Sequence, residues 1–299
     1  MFTLPPVLNP LAQGNPRVLY ALLFRAATET LAAFGDDPRH LSGELGIVAI
    51  LHTWGQTLVQ YLYLHCVVTG GALARDGARW LPAKRGFLCP VRALAPVFRG
   101  KYRDGLRRAF DRQELRFAGS VAGLVESVAF AAFLATLRAA DWVVYAKPPF
   151  GGPDQVLEYL GRYTHRGAIS NDRLLSLDEG VVRFRWRDYA RGHRLKTMAL
   201  PVAEFLSRFL LHVLPDGFVR IRHFGLLANR GRTAKLARCR ALLAAVPPEG
   251  PATPESVAAL LLRLTGVDPT RCPVCQRGRL HRVGVFQPGE LPVPVWDTS

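Results

Sequence analysis

The chain has 299 residues, and 49% of them are hydrophobic, which excludes disorder throughout and leaves enough apolar side chains for a buried core. Its 39 lysines and arginines outnumber its 23 aspartates and glutamates, giving a formal net charge of +16, so a polyanion such as nucleic acid is the expected partner. An arginine bias imposed by a GC-rich genome is the alternative source of this charge.

Compartment signals favour a cytoplasmic protein. No window holds the roughly 18 uninterrupted apolar residues of a membrane span, and the first residues have no basic and apolar regions of a secretory signal. Five cysteines, an odd number, indicate reduced thiols rather than a disulfide framework. We therefore expect neither membrane insertion nor secretion.

Hydrophobic periodicity in the first half of the chain predicts helices mixed with strands. Glycine and proline set the expected ends: Gly35 ends the first helix, Gly70 and Gly71 end the second strand, and Pro96 and Gly100 break the second helix. The predicted elements are an extended stretch at 2–4, a helix at 19–31, strands at 46–51 and 61–69, a turn-rich segment at 80–90, helices at 91–112 and 121–140, and a strand at 141–146.

The second half continues the mixed pattern. Pro153 and Asp154 favour a helix start, because proline suits the first turn and a carboxylate stabilises the positive end of the helix dipole. The other predicted elements are an alternating strand at 181–187 with its hairpin partner at 196–200, a helix at 201–214, a strand at 218–224, and helices at 232–245 and 254–265. Hairpins interspersed with helices indicate an α+β fold. We expect one core over 1–246, followed over 247–299 by a helix and a loose tail with a CxxC motif.

A pair of tyrosines lies on the helix predicted after residue 153. Tyr159 and Tyr163 are four residues apart, so their hydroxyls project from the same helix face. One interpretation is two half-buried tyrosines beside a solvated basic face. The other is a pair of nucleophiles for phosphodiesters. Because a free phenol has a pKa near 10, that chemistry needs cations nearby, and Arg162 and Arg166 lie next to the tyrosines.

Polar side chains mark the ends of two neighbouring predicted strands. His52 and Gln56 follow the first strand, and His65 lies on the second. Imidazole and amide groups are able to hold a divalent cation, so these residues form a candidate metal site. The alternative is that they are structural residues at strand ends.

The alternating strand carries a row of arginines. Arg183, Arg185 and Arg187 share one face, opposite to the apolar side chains. Such a row would contact phosphates without reading base sequence, although an exposed sheet face in a basic protein explains it equally well.

The CxxC motif in the tail is half of a zinc site. Cys272 and Cys275 have the spacing of two zinc ligands, and His281 is a candidate third. Cys239 is the remaining nearby thiol and no fourth ligand is evident. Strong zinc signals carry two well-spaced pairs, so zinc here is a minor alternative.

Several of these stretches belong to long motifs that follow one another in a known order. They are His52-Thr-Trp-Gly-Gln56, Leu64-His-Cys-Val-Val-Thr-Gly-Gly71, Tyr159-Leu-Gly-Arg-Tyr-Thr-His-Arg166, Ile169-Ser-Asn171, Arg173-Leu-Leu175, Arg220-Ile-Arg-His-Phe-Gly-Leu-Leu-Ala-Asn-Arg230 and Cys272-Pro-Val-Cys275. Together they make the chain, from Phe2 to about residue 283, resemble the two-tyrosine HUH transposases of rolling-circle insertion sequences.

The resemblance implies an HUH endonuclease-like antiparallel sheet with flanking helices over 1–246. It implies that Tyr159 and Tyr163 cut and rejoin single-stranded DNA at element ends through 5′-phosphotyrosine links, and that Mg²⁺ or Mn²⁺, held by His65 with Gln56 and His52, polarises the scissile phosphate. The protein would act in the bacterial cytoplasm, at the nucleoid. The residues expected to contact DNA are Lys147, Arg162, Arg166, Arg183, Arg185 and Arg187.

The chain departs from the family pattern in two places. The family reads His-Pro-His-Leu-His-Cys where this chain reads Tyr61-Leu-Tyr63-Leu-His65-Cys66, so Tyr63 replaces a metal-ligating histidine and should weaken metal binding. The family's N-terminal zinc module is also missing before Met1, which predicts a truncated first strand, from a shortened copy or a wrongly assigned start. Two hypotheses follow: an active transposase, or a DNA-binding remnant that does not cleave.

Overall fold

The computed structural model describes residues 1–84, 91–164, 167–245 and 256–280, and at residues 162–164, 190 and 264 the description extends to the backbone alone. The chain divides into two compact units, Met1–Ala245 and Val246–Ser299. The first unit contains nearly all of the described elements, and the second contributes one helix and the CxxC turn.

Eight strands and eight α-helices are present in the described residues. The strands are β1 (Phe2–Thr3), β2 (Gly43–Trp54), β3 (Gln60–Ala74), β4 (Trp80–Pro82), β5 (Leu174–Asp178), β6 (Val181–Asp188), β7 (Arg194–Pro201) and β8 (Ile221–Gly225). The helices are α1 (Asn9–Gly14), α2 (Pro16–Asp36), α3 (Val91–Asp111), α4 (Ser127–Ala139), α5 (Pro153–Thr164), α6 (Val202–Leu210), α7 (Arg232–Leu242) and α8 (Val257–Thr265). Antiparallel sheets with helices around them confirm the predicted α+β class.

The larger sheet has five antiparallel strands in the order β1-β3-β2-β8, and β4 pairs with the far end of β3. The pairing of β2 with β3 sets His52 opposite Tyr63 and Ile50 opposite His65. Because paired residues in an antiparallel ladder point to the same side, His52, Tyr63 and His65 share one face of this sheet.

The other face of the larger sheet carries the main core. α2 packs on β2 and β3 there, and α3 packs on α2. Leu62 and Leu64 of β3 point into this core and are almost completely buried. α2 is long and apolar enough to cross a membrane, but most of it is buried against the sheet, so its composition is explained by its place in the core.

The smaller sheet has three strands in the order β5-β6-β7. In β6, Val182 and Phe184 are buried while all three arginines are exposed, which confirms the predicted alternation and the hairpin with β7. The arginines on its exposed face are Arg183, Arg185 and Arg187.

Three predictions from local patterns are wrong. β3 continues through Gly70 and Gly71 to Ala74, because a Cβ at Gly71 would come within 2.7 Å of the Trp80 ring and glycine lets β4 approach there. α3 runs unbroken through Pro96 and Gly100. The segment 141–146 forms one isolated bridge to β1 rather than a strand, since β1 is only two residues long. Part of the turn-rich segment is β4, and residues 85–90 lie outside the description.

Substitution of Phe98 tests how much packing in the main core contributes to stability. Its ring is completely buried, with centroids 5.0 Å from Phe2 and 5.3 Å from Trp142. Phe98→Ala should lower the free energy of unfolding by about 3–5 kcal/mol, because it removes a large apolar side chain and leaves a cavity. Urea unfolding followed by circular dichroism measures this. The control is Phe209→Ala, on the partly exposed face of α6, which should cost much less; equal losses would contradict this description of the core.

Candidate active site

β3 presents aromatic side chains on the face opposite to the core. Tyr61, Tyr63 and His65 alternate with Leu62 and Leu64, as the period of two in a strand requires. Their burial increases along the strand: Tyr61 is 38% exposed, Tyr63 is half-buried and His65 is 8% exposed. This face therefore leads from solvent at Tyr61 to an enclosed imidazole at His65.

β2 adds a second imidazole beside the first. The His52 ring is 2% exposed, and its centroid lies 4.9 Å from that of His65 and 5.2 Å from that of Tyr63, on which it stacks. Trp54, further along β2, also contacts His52, and the two ring centroids are 4.9 Å apart. The structure thus brings together two of the three predicted metal ligands.

α5 places one predicted nucleophile on this face. The Tyr159 hydroxyl lies 2.6 Å from Nδ1 of His65, and the two ring centroids are 5.8 Å apart. Phe150 packs on the other side of Tyr159, at 5.2 Å. The helix begins at Pro153 with Asp154 in its first turn, as the sequence predicts.

His65 is neutral at physiological pH. Burial, and then the positive charges of the Met1 amino group and Lys147, lower the pKa of His65 from 6.5 to about 4. In the tautomer with its proton on Nε2, the neutral ring accepts a hydrogen bond from the Tyr159 hydroxyl at Nδ1, and in the other tautomer Nδ1 donates to the phenol oxygen. His65 therefore fixes the position of the phenol through this contact.

The donor atoms on this face do not fit Mg²⁺ or Mn²⁺. The face offers the imidazoles of His52 and His65 and the neutral phenol of Tyr63, which is a poor ligand for these cations, so one protein ligand is missing. The Gln56 carboxamide oxygen instead accepts a hydrogen bond from the backbone amide of Arg187, at 3.3 Å. In the described part of the chain, no three His, Cys, Asp or Glu side chains are grouped for a metal.

The predicted DNA contacts in the described residues lie in the loop before α5, in α5 and in β6. Lys147 is exposed and close enough for its charge to act on His65. The three arginines of β6 lie on the smaller sheet. Tyr163 is in the last turn of α5, but its side chain and that of Arg162 are not described, and Arg166 is outside the described residues.

Sequence reasoning missed the contacts that hold the β2–β3 turn. The carbonyl of Gln56 accepts from Arg173, that of Thr57 from Arg208 at 3.2 Å, and that of Leu58 lies 2.9 Å from Nε2 of His212. No spacing in the sequence signals them, because the donors lie more than a hundred residues further along the chain.

Hydrogen bonds to Gly278 hold the two cysteines of the CxxC turn in the second unit. The Gly278 amide donates to the Cys275 sulfur at 3.4 Å, and such backbone amides lower the pKa of that thiol. The Cys272 amide in turn donates to the Gly278 carbonyl at 2.8 Å. Two thiols make half of a tetrahedral zinc site, and His281 lies outside the described residues, so zinc there stays a prediction.

The low pKa of His65 predicts acid sensitivity. The unfolded chain takes up a proton near pH 6.5, whereas folded His65 resists it until about pH 4, so the free energy of unfolding should fall across this interval as pH decreases. His65→Gln should flatten that fall in urea unfolding measured between pH 7 and 4.5. The matched control is His193→Gln, at an exposed position. An unchanged pH dependence in His65→Gln would contradict the assignment.

Comparison with known proteins identifies the family. Residues 46–235 match the Y2_Tnp family, described as "Putative transposase". The chain is 48% identical over 301 residues to "Putative transposase y4qJ" of Sinorhizobium fredii, covering 100% of this chain and 76% of that protein. It is 29% identical over 276 residues to "Transposase for insertion sequence element IS801" of Pseudomonas savastanoi pv. phaseolicola, covering 92% of this chain and 64% of that protein.

No solved structure matches the chain. The family match covers the strands that carry His52 and His65 and the helix that carries both tyrosines. The resemblance noted in the sequence is thus confirmed, and the chain belongs to the Y2_Tnp family of DNA transposases.

Proposed function

We propose that this transposase cuts and rejoins single-stranded DNA, with Tyr159 as the first nucleophile. The observation that carries the proposal is the 2.6 Å contact between the Tyr159 hydroxyl and the neutral ring of His65. It holds the phenol at the sheet face and gives its proton an acceptor, which are the two requirements of a tyrosine nucleophile.

The covalent step exchanges one phosphodiester for another. The Tyr159 oxygen bonds to the scissile phosphorus, and the bond from phosphorus to the 3′ oxygen breaks, leaving a 5′-phosphotyrosine and a strand that ends in a 3′ hydroxyl. The phenol proton passes to Nδ1 of His65, and the departing 3′ oxygen takes up a proton from water. A bound phosphate places negative charge beside His65, which favours its imidazolium form and makes it a better base than in the free protein.

Cations on the protein balance the charge of the strand. Lys147 lies close to the His65–Tyr159 pair, and the arginine row of β6 offers phosphate contacts along the smaller sheet. Tyr163, one helical turn beyond Tyr159, would serve the second strand transfer. Because each transfer conserves the phosphodiester, the reaction needs no nucleotide hydrolysis. The protein would act on DNA in the bacterial cytoplasm, at the nucleoid.

A second candidate function is DNA binding without cleavage. The observation that favours it is Tyr63, which stacks on His52 where the family resemblance expects an imidazole ligand. A phenol does not replace that ligand, so the chain would keep its DNA-binding surface and lose activity. The two functions differ in one measurable product, the covalent tyrosine–DNA adduct.

Tyr63→His discriminates the two functions. Position 63 shares a face with His65 and lies opposite His52, so the substitution groups three imidazoles. We expect calorimetry to detect Mn²⁺ binding to Tyr63→His that the unmodified chain lacks, and denaturing gels to show a covalent adduct with a single-stranded element end. If Tyr159 cleaves as proposed, the unmodified chain forms the adduct as well; if the chain only binds DNA, the adduct appears with Tyr63→His alone.

Two comparisons make that experiment decisive. The adduct should vanish when Tyr159→Phe and Tyr163→Phe are added, since phenylalanine has no hydroxyl to attack phosphorus. If the unmodified chain forms the adduct as efficiently as Tyr63→His, the idea that Tyr63 impairs the site is wrong. Using the DNA in excess guards against failure of DNA recognition.

The arginine row predicts salt-dependent binding. The affinity for a single-stranded oligonucleotide should fall steeply with salt, and changing Arg183, Arg185 and Arg187 together to serine should flatten that slope by about two units, because each phosphate contact adds about 0.7. Fluorescence anisotropy at several salt concentrations measures the slope.

The matched control for the arginine row removes the same charge elsewhere. Arg107, Arg108 and Arg112 are exposed on or just after α3, where carboxylates pair with them. Their triple serine variant should leave the slope nearly unchanged. Equal effects of the two triple variants would show that net charge, and not the β6 surface, binds the strand.

A further inference from the structure

A continuous row of aromatic rings crosses the face of the larger sheet. Starting from Tyr61, each ring centroid lies 5.1 to 5.8 Å from the next. The rings are, in order, Tyr61, Tyr63, His65, Tyr159 and Phe150, and we call them the ring row. The ring row leads from the solvent-exposed Tyr61, through Tyr63 and His65, to the proposed nucleophile Tyr159.

The solvent end of the ring row is not explained by core packing. The core of the larger sheet lies on the opposite face, where Leu62 and Leu64 are buried. Tyr61 is 38% exposed and contacts Tyr63 at a centroid distance of 5.3 Å, with the planes tilted by 52°. An exposed tyrosine that leads to a reactive site offers its ring face to a ligand.

Two cations lie near the residues of this face. Lys147 acts on His65, and the Arg220 guanidinium lies 6.0 Å from the centroid of Trp54 in the neighbouring strand. Flat aromatic faces together with cations match a chain that carries both bases and phosphates, and a strand whose bases are unpaired offers its base faces, which a duplex keeps stacked internally.

We propose that Tyr61 and Tyr63 form a stacking subsite for the bases next to the scissile phosphate of a single DNA strand. This subsite rests on the proposed function, because the strand it holds is the one that reaches Tyr159. The rings would position the strand through base faces, tolerating many sequences, while the cations hold its phosphates. In this chain the two tyrosines occupy positions where the family pattern has histidines, so the subsite is a property of these substitutions.

The test measures binding without cleavage. The full chain carrying Tyr159→Phe and Tyr163→Phe is titrated with a mixed-sequence single-stranded oligonucleotide that contains 2-aminopurine, whose fluorescence falls when it stacks. Tyr61→Leu removes the ring and keeps apolar bulk, whereas Tyr61→Phe keeps the ring. The control is Tyr189→Leu, at an exposed tyrosine that follows β6.

Tyr61→Leu should weaken binding by about five- to 100-fold and reduce the quenching of 2-aminopurine, since one stacked base contributes on the order of 1–3 kcal/mol. Tyr61→Phe and Tyr189→Leu should bind within about twofold of the parent. On an oligonucleotide whose bases are replaced by abasic sites, Tyr61→Leu should bind as the parent does, because phosphate contacts alone remain.

Three results would overturn the subsite. They are no loss of affinity in Tyr61→Leu, an equal loss on normal and abasic strands, or an equal loss in Tyr61→Phe. Thermal unfolding of each variant shows whether a loss of DNA affinity is caused by misfolding. If Tyr61→Leu is misfolded, the quenching of 2-aminopurine by Tyr61→Phe is compared with that of the parent, and weaker quenching overturns the subsite. If the parent binds no single strand at all, the proposed function fails as well, whereas intact binding that is indifferent to Tyr61 overturns the subsite alone.

Discussion

The antiparallel register between β2 and β3 is the constraint on which the site depends. It sets His52 opposite Tyr63 and Ile50 opposite His65, and it leaves Leu64 opposite Leu51 on the core side. Because side chains alternate along a strand, a slip of one residue would turn the rings into the core and the leucines into solvent. The burial of Leu51 and Leu64 therefore determines the strand register, and the register determines on which side of the sheet the aromatic rings lie.

The turn that joins these two strands is fixed from outside the larger sheet. Three successive carbonyls, at positions 56, 57 and 58, meet side chains of Arg173, Arg208 and His212, which come from the segment before β5, from α6 and from the residues just after it. Leu58 is fully buried in the core of the smaller sheet despite its positive φ of 61°. The smaller sheet thus anchors the end of the hairpin that carries His52 and Tyr63, and it couples the arginine-bearing strand to the site.

Local patterns predicted what depends on neighbours in sequence. The alternation of β6 and the start of α5 at Pro153 follow from periodicity and helix-end chemistry. The continuation of β3 through Gly71 depends on Trp80 lying against it, which no strand pattern contains. The contact between Tyr159 and His65 joins residues 94 positions apart, and Gln56 turns towards Arg187 because of tertiary packing. The order of the motifs predicted that these residues belong to one site, but their spacing in the sequence did not predict which side chains are in contact.

Replacing an imidazole by a phenol at position 63 changes what the sheet face is able to do. An imidazole there would add a ligand nitrogen beside His52 and His65, whereas the tyrosine adds a ring that stacks on His52 and extends the aromatic surface towards Tyr61. The proposed binding of a strand would draw on ring faces and on Lys147 and the arginines, and none of these needs a metal. The proposed cleavage would draw on the His65–Tyr159 pair and on stabilisation of the phosphate charge. The proposed binding and cleavage would therefore rest on different atoms, so a single substitution would be able to weaken one while leaving the other intact.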